Sequence, residues 1–243
     1  VTNKSHSKAS KSASSAKNIL VIDVGGTHVK VHTAGEAAPR EFDSGPEMTP
    51  AAMCAGVLKL TKGAKFDGIT IGYPGLVRHG AIAVEPVNLG RGWVGFDFAA
   101  ALGAPVRLIN DAAMQALGSF DGKKMLFLGL GTGLGTCLIL EDASVVAMEA
   151  AHLPYKNGKS YEDYLGVRGL KRLGKKKWLK HVDIVIELLR KAFEPDEIVL
   201  GGGNIHKLAK LPPDVRLGAN ENALAGGLRL WDVADAKIHG TAK

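Results

Sequence analysis

One unit recurs in this chain and limits what it can fold into. Leu20-Val21-Ile22-Asp23-Val24-Gly25-Gly26-Thr27-His28-Val29-Lys30 is an apolar run, then an acid, two glycines, a hydroxyl and a second β-prone run. Met125-Leu126-Phe127-Leu128-Gly129-Leu130-Gly131-Thr132-Gly133-Leu134-Gly135-Thr136-Cys137-Leu138-Ile139-Leu140 follows the same plan. Each reads as strand, glycine turn, strand. The echo predicts two similar α/β lobes around a cleft, the usual place for a ligand. The glycine turns carry two compatible readings. They are hairpin turns, and they are cradles whose backbone N–H groups approach an anion closely. Thr27 and Lys30 can donate to phosphate oxygens, and Asp23 can hold Mg2+ through water. A solvated strand lysine is an equally ordinary role for Lys30.

Between and after the two units, the pattern predicts a helix over 50–62, with Met53, Val57, Leu58 and Leu60 at helical spacing. Gly68 to Gly75 reads as a short strand ending in a Pro-Gly turn. Val106 to Asp111 is a strand, followed by a helix over Ala112–Leu117 with Asp111 as its N-cap. Residues 161–193 read as helices, Ile198 to Asn204 as a strand running into three glycines, and Asn222 to Trp231 as a closing helix.

The 243 residues permit one large domain or two small ones. No apolar run approaches the ~20 residues of a membrane helix, so no membrane partner is expected. The first 17 residues, rich in Ser, Ala and Lys, lack the apolar core of a secretory signal and read as a disordered basic tail. Cys54 and Cys137 are far apart, form no metal-ligand cluster, and fit buried thiols in a reducing cytoplasm. The net charge of +7 is uneven. Between Lys156 and Lys191 the basic side chains include Lys171, Arg172, Lys175, Lys176, Lys177 and Lys180, against only Glu162, Asp163, Asp183 and Glu187. Such a stretch is either a solvated helix face or a surface for a polyanion. No nucleic-acid reader motif accompanies it and aromatic content is 6%, so no specific nucleic-acid partner is expected.

Six segments, in order from about residue 18 to 231, resemble the ROK family of sugar kinases, within the actin/hexokinase superfamily. Asp23-Val24-Gly25-Gly26-Thr27 and Gly129 to Gly135 look like the family's two phosphate motifs, and Gly201-Gly202-Gly203-Asn204 like the segment bordering the nucleotide. Asn110-Asp111 falls where the family places its catalytic acid. Glu149-Ala150-Ala151-His152-Leu153-Pro154 and Asn88-Leu89-Gly90 resemble its sugar-binding segments. Within the family, Tyr161 to Trp178 and the ending Gly226-Gly227-Leu228-Arg229-Leu230-Trp231 are most similar to polyphosphate glucokinases.

The resemblance implies a two-lobed, ribonuclease-H-like fold with a central cleft. Its N-terminal lobe comprises 18–109 plus 222–236, and its C-terminal lobe 110–221. It implies a kinase that moves a phosphoryl group from polyphosphate, ATP or both to the 6-hydroxyl of glucose, with Mg2+. Asp111 is the expected general base. Asn88, Asn110, Asp111, Glu149 and His152 are expected to hold the sugar. Gly25, Gly26, Thr27, Lys30, Gly131, Thr132, Gly133, Gly202, Gly203 and Asn204 are expected to hold phosphate or nucleotide. Lys171, Arg172, Lys175, Lys176 and Lys177 form the expected polyphosphate path, and a homodimer is implied. Two departures matter. Many ROK proteins carry a cysteine-rich zinc site after the His segment. No cysteine stands there in this chain, so no zinc is expected and His152 is not read as a zinc ligand. Ala151 stands where the family has Gly before that His. Two alternatives stay open: an ATP-dependent kinase for another hexose or amino sugar, and a non-catalytic sugar sensor. Seventeen residues before the first strand are too few for the helix-turn-helix domain of ROK repressors.

Overall fold

The computed structural model describes residues 18–208, 210–219 and 221–233. The basic tail over 1–17 and the end of the N-terminal lobe beyond 233 lie outside the described residues. The first unit opens with β1 (Ile19–Val24), β2 (His28–Thr33) and β3 (Arg40–Asp43). Helix α1 (Pro50–Thr61), β4 (Gly68–Tyr73), the small hairpin of β5 (Val77–Arg78) and β6 (Ala81–Ile82), α2 (Phe98–Leu102), β7 (Val106–Asn110) and α3 (Asp111–Ser119) follow. The second unit repeats the plan with β8 (Met125–Leu130), β9 (Leu134–Ile139) and β10 (Val145–Met148). A 3-10 turn (Ala150–His152), α4 (Tyr161–Leu165), α5 (Val167–Leu173), α6 (Lys175–Phe193), β11 (Glu197–Gly201), β12 (Val215–Leu217) and α7 (Asn222–Arg229) complete it.

The sequence echo is a topological one. The first five-stranded sheet has the order β3-β2-β1-β4-β7 and the second β10-β9-β8-β11-β12. In each, the first three strands pair antiparallel and the last two add in parallel. This is the two-lobed, ribonuclease-H-like architecture of the actin/hexokinase type that the motifs led us to expect.

Strand alternation explains the layering. Along β1, Leu20, Ile22 and Val24 face α1 and its neighbours, while Ile19 and Val21 face the other way. Along β8, Leu126, Leu128 and Leu130 face α4–α6, while Met125 and Phe127 face the middle of the molecule. The strands are buried on both faces, which is why they read as continuous apolar runs. The middle layer is α3 and α7. Helix α3 packs on β8, β9 and β10, and α7 on β1 and β4, so each helix that closes one repeat lies against the other sheet. Helix α7 also completes the C-terminal end of α3. Arg229 Nη1 donates to the carbonyls of Leu117 and Phe120 at 2.9 and 2.7 Å, satisfying the open end of α3. Cys54 and Cys137 are both free and buried, and burial pushes their thiols up to about 11 and about 12. Among the described residues, no helix is long and apolar enough to cross a membrane.

One local expectation is corrected. Asn110, not Asp111, caps α3: its Oδ1 accepts from the N–H of Ala113 at 3.0 Å. Asp111 is the first helical residue, and its Oδ1 accepts from the N–H of Ala112 at 2.8 Å. The chain reaches helical geometry one residue earlier because Asn110 keeps the extended backbone of a cap, φ −61° and ψ 142°, while Asp111 already lies in the helix.

Candidate active site

Within the two glycine turns, Gly25 and Gly133 are held to glycine by close approach, not by backbone handedness. A Cβ on Gly25 would stand 2.9 Å from the His28 carbonyl oxygen, to which the Gly25 N–H donates at 3.0 Å. Neither Gly25 nor Gly26, nor Gly131 nor Gly133, has positive φ. Gly26 and Thr27 are exposed at the tip of the turn, and Ser44 N donates to the Thr27 carbonyl at 2.8 Å from behind. In the second turn Gly131 N donates to the Gly133 carbonyl at 3.2 Å, and Val167 N, at the start of α5, to the Thr132 carbonyl at 3.1 Å. The third glycine segment is tied onto this turn. Asn204 N donates to Leu130 O at 2.9 Å and Asn204 Nδ2 to Gly131 O at 3.1 Å. Here handedness does count: Gly202 has φ +83°, and a Cβ there would strike the backbone of Leu130.

Asp23 lies next to the end of β1 and Asp111 begins α3, and their carboxylates lie close enough to repel. Burial, then the charges of Asp23 and Glu149, push Asp111 from 3.8 up to about 7, against the N–H bond from Ala112. Burial raises Asp23 to about 6, against the opposing charge of Lys30, its register partner across β1 and β2. Both side chains keep partial solvent contact, as they must if a ligand is to reach them. Two coupled carboxylates raised toward neutrality, beside glycine turns, are the electrostatics of an acid–base site.

The structure therefore places Asp23 and Glu149 within electrostatic range of Asp111, and seats Gly26 against Asn88, whose Cβ would lie 3.5 Å from a Cβ on Gly26. Glu149 and His152 face each other at 3.6 Å, both well exposed. Asn110 has a double duty in the fold, since its Nδ2 also donates to Gly75 O at 3.1 Å and ties the Pro-Gly turn to α3. Lys30 is exposed and directs its charge at Asp23. Arg172 is engaged locally, with Nη2 on the Asp163 carbonyl at 2.7 Å and its guanidinium 4.8 Å above the Tyr164 ring. Lys171, Lys175, Lys176 and Lys177 are exposed. The last three form the first turn of α6, where the helix dipole is also positive.

Two residues that spacing did not single out matter here. The buried hydroxyl of Thr136 donates to Met148 O at 2.8 Å and accepts from Ala150 N at 3.2 Å, gripping the backbone on both sides of Glu149. Glu162 reaches into the second glycine turn, accepting from Leu134 N at 3.3 Å and facing Arg168 at 3.4 Å. Its acid is one of only four in a stretch whose pattern signalled mainly positive charge.

Comparison with known proteins bears on the fold and the family. No curated protein matches the sequence. Among solved structures, the chain is similar to the inorganic polyphosphate/ATP-glucomannokinase of Arthrobacter sp. strain KM, with a TM-score of 0.73 at 21% identity over 87% of this chain and 97% of that one. It is similar to a ROK family glucokinase from Streptomyces griseus in complex with glucose and AMPPNP, with a TM-score of 0.68 at 16% identity over 88% and 98% of the two chains. A ROK family transcriptional regulator, a homologue of the E. coli MLC protein, aligns with a TM-score of 0.69 at 15% identity over 93% of this chain and 79% of its own. At these identities the likenesses establish the fold. The family model for ROK matches residues 19–153, more than half of the sequence. This chain belongs to the ROK family.

Proposed function

We propose that the protein is a sugar kinase that transfers a phosphoryl group from polyphosphate, ATP or both to the 6-hydroxyl of glucose. The observation that carries the reading is Asp111. It stands at the first position of α3, partly exposed, with its carboxyl raised to about 7 beside a second carboxylate. Phosphoryl transfer needs positioning, charge stabilisation and a proton acceptor. The sugar hydroxyl oxygen attacks the terminal phosphorus as the bridging P–O bond breaks, and the hydroxyl proton passes to the Asp111 carboxylate. Glu149, His152 and Asn88 hold ring hydroxyls, and N–H groups of the Gly25–Thr27 and Gly131–Gly133 turns receive phosphate oxygens.

The residues present fit Mg2+ that arrives with the donor. Among the described residues no three His, Cys, Asp or Glu side chains gather as a ligand cage. A single carboxylate at a strand end, Asp23, suits an ion that keeps most of its waters and takes its other ligands from phosphate. When bound, Mg2+ neutralises charge on the transferring phosphates.

The placement of α5 and α6 supports polyphosphate as a donor. Helix α5 starts against Thr132 and is seven residues, about 10 Å, long, and the three lysines follow it at the start of α6. A chain of phosphates held at the glycine turn is long enough to reach them, whereas a nucleotide is held nearer Gly202 to Asn204. Replacing Lys175, Lys176 and Lys177 together by Glu is expected to weaken polyphosphate use about tenfold or more, with the effect shrinking as salt screens it, and to leave ATP use within about twofold. Equal loss with both donors sinks the polyphosphate path.

The experiment that tests the whole reading is glucose phosphorylation measured with ATP and with polyphosphate in parallel, alongside mannose and an amino sugar. No turnover with any sugar or donor, together with retained glucose binding, favours the sensor reading that the regulator's fold keeps open. The pH profile adds a second check. In the free enzyme the base must be ionised, so kcat/KM is expected to fall on the acid side with an apparent pKa near the value of about 7 at Asp111. A profile flat from pH 8 to pH 5.5 contradicts the assignment.

A further inference from the structure

We infer that Glu85 is a positioning residue for the sugar acceptor, acting through the loop that carries Asn88. The inference rests on the reading of Asn88 as a sugar ligand.

Residues 85–94 are a loop without strand or helix, yet it is closely organised. Leu89 and Trp93 are buried in the core beneath the first sheet and serve as its anchors. Gly90 N and Trp93 Nε1 both donate to the Met48 carbonyl, at 3.0 and 3.3 Å. Three further backbone donors of the returning arm converge on one side chain. Gly92 N and Trp93 N donate to Glu85 Oε2 at 3.0 and 3.2 Å, and Val94 N donates to Glu85 Oε1 at 3.2 Å. One carboxylate thus fills a nest of three successive N–H groups and closes the loop on itself. Partial desolvation works against the charge, but the N–H groups of Val94, Trp93 and Gly92, with Arg91 nearby, hold the Glu85 carboxyl below its usual range.

What the closed loop presents is Asn88, exposed at the crest and set against Gly26 of the first phosphate turn. Met48 belongs to the segment whose Ser44 bonds the Thr27 carbonyl, so loop and phosphate turn share one support. Glu85 makes no contact with the Asp111 side of the cleft among its described hydrogen bonds. Its work is to fix the distance between the acceptor-holding loop and the phosphate turn. Glutamine at this position keeps one acceptor oxygen and turns an N–H donor toward the other N–H groups, so the nest opens.

The test is a double-mutant cycle on the full chain, read as acceptor KM, donor KM and kcat. Glu85→Gln is expected to raise the acceptor KM roughly tenfold, with kcat and donor KM within about twofold, and to add little further to Asn88→Ala. Glu85→Ala leaves the nest empty, and formate at constant ionic strength is expected to restore part of the acceptor affinity where chloride does not. This chemical rescue separates positioning from a general loss of stability, and it serves if the glutamine variant folds poorly. Three results overturn the inference: an unchanged acceptor KM in Glu85→Gln while Asn88→Ala raises it, effects of the two substitutions that simply multiply, or equal loss in both substrates' KM without rescue. An unchanged acceptor KM in Asn88→Ala is different, because it removes the reading of Asn88 itself and the inference falls with it.

Discussion

Asp111→Asn is expected to cost about 10²–10⁴ in kcat, the range of a lost general base, while sugar affinity stays within a few-fold. The amide keeps the size of the carboxylate and its hydrogen bond from Ala112 N, so the start of α3 is undisturbed. What disappears is the proposed proton acceptor. The same change is expected to stabilise the fold. A carboxyl raised from 3.8 to about 7 on folding binds protons more tightly in the folded state, so stability is fully present at acid pH and declines as pH rises from about 3.8 toward 7. The asparagine variant escapes that decline, and its melting temperature should exceed the parent's at pH 8 and match it near pH 4. Calorimetry across pH, together with steady-state rates and sugar titration, reads all three. Turnover within tenfold of the parent removes Asp111 from the role of base. A melting temperature that falls at pH 8 shows that the charge is compensated by a partner rather than strained.

The legible part of this chain was the part with a strong period. Both strand–glycine–strand units, β4, β7, β11 and the helices α1, α3 and α7 are where alternation and helical spacing placed them, because their apolar residues are buried on definite faces. What spacing did not reveal were short or half-exposed elements. Helix α2 has five residues, and β3 is an edge strand whose Arg40, Glu41 and Asp43 give it little apolar signal. The glycine turns were visible, but not why they are glycine, since close approach to His28 O or to Leu130 depends on how the strands fold back. At the site, Asp23 and Asp111 were marked by their places at strand and helix ends. Glu85, Thr136 and Glu162 were not, because each acts through hydrogen bonds with backbone seven or more residues away, which no short-range spacing marks. A lone carboxylate filling a nest has no spacing of its own.

Gly226→Ala and Gly118→Ala are expected to have the largest effect on stability, and their sign is opposite to the one helix propensity predicts. In an open helix position alanine is favoured over glycine by about 1 kcal/mol. Here α3 and α7 cross backbone to backbone. A methyl on Gly226 would land on the Met114 carbonyl, and one on Gly118 on the Asn222 carbonyl. Neither obstacle is the free end of a side chain, so the helices must move apart, which places each change at about 3 kcal/mol, the upper end of overpacking costs. That corresponds to roughly 6–12 °C in melting temperature for a chain of this size. Gly56→Ala in α1 is the useful contrast. The nearest obstacle to its methyl is the ring of Phe42 on the edge strand, which can swing aside, so its net effect should be small. Because Gly118 and Gly226 form one crossing, the first methyl opens the space for the second. The double variant should therefore lose clearly less than the sum of the two. Since α3 carries Asp111 at one end and this crossing at the other, the separation also reaches the site. Each variant should lose activity at a temperature several degrees below its own loss of helical signal. Coincident loss would mean that the crossing supports the fold without setting the position of Asp111.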